Sequence, residues 1–140
     1  MSTVLWTNML LGGAVRSDAS DKIALHRHTA RLDRLCAKLG VKPLSEFCDS
    51  TDVEYNLGRL TLPAGMVSTD ELMAQSGTWV DADVAIATLE ALLKEIQANK
   101  IAFGRLKNDH ATVVAELDEA LAFARDVARQ GGRFNFAIVM

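Results

Sequence analysis

Three histidines and two cysteines are the side chains of this chain best suited to acid–base, nucleophilic or metal chemistry. His26 and His28 form an HxH triplet, which on a helix turns the two rings about 200° apart and excludes a chelating pair. His28 sits among apolar neighbours, one helical turn from Leu25 and Leu32. There, a general base or metal ligand at a pocket floor competes with a hydrogen-bonded histidine at the core edge. His110 falls in the first turn of a later helix, where the helix dipole disfavours a protonated ring. Together with Trp79 the two histidines are the candidate pocket of a small-molecule-binding protein or minor enzyme, on condition that they converge. Packing is the simpler role for each, because no oriented partner stands at a fixed spacing.

Cys36 lies on an apolar helix edge and reads as a buried thiol, while Cys48 is surrounded by Glu46, Asp49 and Asp52, whose charges raise a thiol pKa and disfavour a nucleophile. Two cysteines are too few for a disulfide framework or a CxxC zinc site, so free thiols in a reducing cytoplasm are expected. The acidic group Glu46, Asp49, Asp52 and Glu54 fails as an EF-hand. Counted from Asp49, positions six and twelve hold Glu54 and Leu60 rather than Gly and Glu. What it offers is an acidic loop with Tyr55 beside it, suited to a basic partner or simply to water. Arg27, Arg31, Arg34 and Lys38 make a basic ridge on one helix face, suited to a phosphate, an acidic protein patch or water. P-loop, GxGxxG, GxSxG and HExxH motifs are absent, so neither cofactor nor metal is expected and catalysis is the lesser reading.

These side chains must be positioned by elements that the patterning predicts. With 140 residues, 49% of them hydrophobic and 24% charged, one domain over 1–140 with one core is expected. The net charge of −3 argues against nucleic acid, and the N-terminal stretch lacks both a positive n-region and a spanning length, so a cytoplasmic protein without a membrane segment is expected. Residues 3–11 read as a strand, Gly12–Gly13 as a tight turn and Ala14–Arg16 as a short return strand. "SDASD" reads as a run of N-cap residues before a helix over about 20–39. Pro43 opens a helical turn through "LSEFCD". Residues 50–66 carry mixed signals: "TDVE" resembles a capping box, and Leu57, Leu60 and Leu62 suit an irregular packed segment. Ser68 and Glu71 stand at capping-box spacing, with Val67 and Leu72 as a staple, before a helix over about 69–75. Longer helices follow from Asp81 to about 98, with a Glu90–Lys94 pair on its outer face, and over about 109–130, ending at Gly131–Gly132. In the closing "RFNFAIVM", Phe134, Phe136, Ile138 and Met140 alternate with Asn135, Ala137 and Val139, a strand whose partner is "STVLWTNML". The expected fold is α+β, a small antiparallel sheet from the N-terminal hairpin and C-terminal strand packed against two or three long helices.

The ordering "VLWTNMLL", "YNLGRLTLPAGMVSTDELM", "GTWVDADVAIATLEALL" and "ALAFARDVARQGGRFNFAIVM" resembles that of small single-domain bacterial proteins without an assigned activity. The resemblance implies a bacterial cytosolic protein and carries no catalytic motif. On the residues, the leading expectation is a non-enzymatic protein that binds another protein through its two oppositely charged surfaces, as an accessory, inhibitor or immunity-type factor. The alternatives are the histidine–tryptophan pocket and a homodimer.

Overall fold

A computed structural model describes residues 3–140. Strand β1 (Val4–Leu11) turns through Gly12 and Gly13 into β2 (Ala14–Lys22). Both glycines have positive φ, 60° and 77°, which a two-residue type I′ turn demands and which residues with a Cβ adopt at a cost. The last strand, β5 (Arg133–Val139), lies antiparallel to β1, with Thr7 opposite Phe136 and Asn8 opposite Asn135. The expected pairing of the two chain ends is therefore the centre of the sheet.

Two short strands complete it on the far side of β5: β3 (Cys48–Asp49), which runs parallel, and β4 (Val80–Asp81), which runs antiparallel. The sheet thus has five strands rather than three and includes one parallel pair. Short pairings shield one edge. The other is the outer edge of β2, whose Ser- and Asp-rich sequence suits a solvated strand.

Helix α1 (Ile23–Arg27) and α2 (Thr29–Leu39) replace the single helix expected over 20–39. The residues read as N-caps continue β2 as far as Lys22, since β1 offers their backbone a ladder. The helix then breaks at His28 (φ −106°, ψ 18°), where the Thr29 hydroxyl donates to the Leu25 and His26 carbonyls, a back-bond that bends helices. A 3-10 turn at Leu44–Phe47 leads into β3. The mixed stretch resolves into α3 (Thr51–Asn56) followed by irregular chain up to α4 (Thr69–Ser76). Ser68 caps α4 through the Glu71 amide as expected, but Val67 is 85% exposed and makes no staple.

Helices α5 (Ala82–Ala98) and α6 (His110–Gln130) are the long pair, and α6 ends at Gly131 in the left-handed conformation. Glu90 pairs with Arg125 across these two helices at 3.2 Å rather than with Lys94. The main core lies between them and one sheet face, where Leu5, Met9, Phe134 and Phe136 point. Phe134 meets Phe136 edge to face at 5.1 Å. A smaller core of Val4, Met73, Ala137 and Val139 lies on the other face. No helix among the described residues is long and apolar enough to cross a membrane.

Polar groups at the helix ends tie the layers together. The Asp109 carboxylate, at the start of α6, accepts from His28 Nε2 at 2.8 Å and from Arg27 at 2.9 Å. These hydrogen bonds, His28 first, hold its carboxyl below the ordinary value of 3.8. The stabilisation is therefore complete above that value and is lost as pH falls through the lower folded one. Asp109→Asn is expected to flatten that part of the acid limb of stability, so that the wild type loses more of its unfolding midpoint than the variant between neutral pH and pH about 3. Urea titrations at a series of pH values check it.

Candidate functional site

The residues singled out by type fall in separate places. His28 packs against Phe103, with ring centroids 5.3 Å apart, and its Nε2 is committed to Asp109. His110 Nδ1 donates to the Ile101 carbonyl at 2.6 Å, and its ring lines an open cleft with Gln97, Lys100 and Val114 that neither His28 nor Trp79 lines. Trp79 lies across the sheet, packed on the smaller core, with its indole donating to the Met73 carbonyl at 2.8 Å. The three do not form one pocket.

The charged surfaces are also largely occupied. Asp49 is buried and accepts from the Thr51 and Thr78 amides, an anchor for the turn into α3 and the approach to β4. Glu46 and Glu54 face Lys42 and Arg59, and Tyr55 is exposed beside them. On the basic ridge, Arg27 serves Asp109, Arg31 bonds the Ala102 carbonyl and lies over Phe103, and Lys38 meets Glu95 at 3.2 Å, leaving Arg34 exposed. Arg27 thus ties α1 to the start of α6, and Arg31 and Lys38 clamp α2 onto the loop and helix beside it. Both thiols are quiet: burial pushes Cys36 up to about 11 and Cys48 up to about 12.

A different site emerges on the second sheet face, below α3 and α4. Ser17, Asn8 and Asn135 stand opposite one another across β2, β1 and β5, and cross-strand partners share a face. Hydrogen bonding fixes how the two amides point. The Thr78 carbonyl only accepts, so Asn135 gives it Nδ2 at 2.9 Å; Asn135 Oδ1 then accepts from Asn8 Nδ2 at 3.0 Å. This leaves Asn8 Oδ1 with no donor among the described residues, although Asn8 is only 1% exposed. A buried acceptor without a partner costs about 1–3 kcal/mol. The Thr7 hydroxyl is also unpaired, but its strand position directs it to the opposite face, away from the cavity above Asn8.

That cavity measures about 290 Å³, near the lower end of small-molecule sites. Its polar wall is Asn8, Ser17, Asp52, Asn56 and Asp70, and its apolar wall is Trp6, Met73, Ala137, Val139 and Met140. Met140, expected on the face of Phe134, lies past the end of β5 and joins the opposite side. Asp52 is held by Thr69 Oγ1 at 2.9 Å and Asn56 Nδ2 at 3.0 Å, a brace between α3 and the first turn of α4. Asp70 lies in that turn, and burial, with the Asp52 charge second, raises its carboxyl above the usual value. Trp6 is fixed by its indole N–H, which reaches Asp21 at 2.7 Å where the β1–β2 register shifts. Among the described residues, no Lys, Arg or His lines the cavity.

Of the side chains expected to be functional, Asp52 alone lines this cavity. The readable signal for the rest was an asparagine in the middle of each of two apolar strands, "VLWTNMLL" and "RFNFAIV", where asparagine is disfavoured.

Fold and site together define an α+β domain with a cavity whose polar wall holds two carboxylates, two carboxamides and a serine. No family model matches the chain, and neither the curated proteins nor the solved structures give a match.

Proposed function

We propose that this is a small-molecule-binding protein whose site is the cavity between α3, α4 and the second face of the sheet. One observation carries the reading: a nearly inaccessible asparagine in the central strands leaves its carboxamide oxygen unpaired beneath a half-apolar cavity. A polar pair in mid-sheet is costly unless something reaches it. This reading displaces a protein-binding role resting on paired charged surfaces, because Asp49, Arg27, Arg31 and Lys38 are engaged within the fold. A homodimer would use the free edge of β2, which the polar sequence there disfavours.

The test is capture. Purified protein is incubated with the fraction of a cell extract below about 1 kDa and examined by native mass spectrometry. Wild type is expected to retain a small molecule, and Ser17→Trp, which places an indole on the exposed strand opposite Asn8, is expected to lose it. Equal capture by both, or none by either, would count against the site.

A further inference from the structure

We infer that the ligand is a small primary amine with an apolar body, its ammonium held among Asn8, Asp52 and Asp70 and its hydrocarbon part laid on Trp6, Met73 and Val139. The inference rests on the cavity being a ligand site, and it adds the chemical class.

Three features of the lining select that class. Acceptors predominate among the polar groups: two carboxylates and the unpaired Asn8 oxygen, beside the Ser17 hydroxyl and an Asn56 amide that gives an N–H to Asp52. An ammonium brings three donors and no acceptor, which suits a wall dominated by carboxylate and carboxamide oxygens. Among the described residues no cation joins the two carboxylates in the cavity, so the empty site carries unbalanced negative charge, and Asp70 holds its proton more tightly through burial first and the Asp52 charge second. An anionic ligand meets that repulsion, and a neutral one leaves it in place.

The apolar half separates an organic cation from a metal ion. Trp6, Met73, Ala137, Val139 and Met140 offer no oxygen side chain, and the described residues contain no group of three His, Cys, Asp or Glu side chains arranged to hold a metal. A calcium or magnesium ion takes six or more oxygens, whereas an alkylammonium or arylalkylammonium uses both walls. Cation–aromatic attraction to an indole adds to the preference where the ammonium lies near Trp6.

Isothermal titration calorimetry with 2-phenylethylammonium, phenylacetate and 2-phenylethanol, molecules of nearly one shape and three head groups, reads the class directly. Saturable one-to-one binding of the ammonium is expected, with the other two at least tenfold weaker. Asp70→Asn is expected to weaken the ammonium at least tenfold while keeping a cooperative unfolding transition, and Asp70→Glu to recover part of the loss. Comparable binding of phenylacetate or the alcohol overturns the inference, as does calcium that binds tightly enough to displace the amine. A peptide-like source of the same group is tested with Nα-acetyl-lysine methylamide; tighter binding of that probe than of the free amine also overturns it. Silence of the ammonium while the extract still yields a captured molecule sinks the ligand class alone, whereas failure of capture sinks the site itself.

Discussion

Deleting Phe134–Met140 is expected to leave a chain with no cooperative unfolding transition. These residues supply most of β5, the strand that pairs with β1 on one side and with β3 and β4 on the other. They also serve both cores, with Phe134 and Phe136 under the long helices and Ala137 and Val139 under α4. Losing either phenylalanine ring costs about 3–5 kcal/mol, against a total stability on the order of 5–15 kcal/mol for a domain of this size. The deletion removes both rings and the central ladder, so the sum exceeds what the fold holds in reserve. Phe134→Ala alone should fold and lose about 3–5 kcal/mol by chemical denaturation. An unchanged denaturation midpoint in the truncated chain would show that the sheet does not depend on its terminal strand.

The second large effect belongs to Glu116. Its side chain is nearly buried on α6, and its two carboxylate oxygens accept from the Ala24 amide at 3.3 Å and the Leu25 amide at 2.9 Å, in the first turn of α1. Lys22 precedes that turn and gives it no side-chain cap, so the cap comes from a helix more than ninety residues away. Glu116→Ala is expected to cost about 3–5 kcal/mol, from two buried amides left without acceptors and the space vacated. Glu116→Met keeps the volume and should still cost about 2–3 kcal/mol, because the backbone donors cannot be removed with the carboxylate. Chemical denaturation of both variants checks this, and a methionine variant as stable as the wild type would mean that desolvating the carboxylate cancels its bonds. The same junction holds Lys22, fully buried, with its ammonium 2.9 Å from Glu119 and 3.1 Å from the Ser20 carbonyl.

The parts of this fold legible in advance were those governed by local chemistry. Gly12–Gly13, Ser68 with Glu71, and Gly131 each act within a few residues of themselves, and each turn or helix end stands where it was expected. The long apolar faces of α5 and α6 were equally plain, since period alone selects residues such as Leu89, Leu92, Leu117 and Leu121. The misreading of Ser17–Asp21 has a tertiary cause. N-cap residues also suit the solvent side of an edge strand, and the β1 backbone decided between the two.

The site was less legible for the same reason. Asp109 stands at the start of its own helix, yet its side chain serves His28 and Arg27 from a segment eighty residues earlier. Asn8 and Asn135 are 127 residues apart, and only the β1–β5 register makes them one polar pair with a single unpaired oxygen. Chemistry-prone residue types drew attention to histidines that the fold uses for packing and clamping. The cavity is built instead from asparagine, serine and aspartate, whose roles depend on which face they share.

The most direct test of the site is amide chemical-shift mapping by NMR during a titration with 2-phenylethylammonium. The largest shifts are expected at Asn8, its side-chain amide included, and at Ser17, Asp70 and Val139, with His28 and His110 unmoved. Shifts centred on His110 and Lys100 instead, with Asn8 unaffected, would place binding in the other cleft and contradict the account.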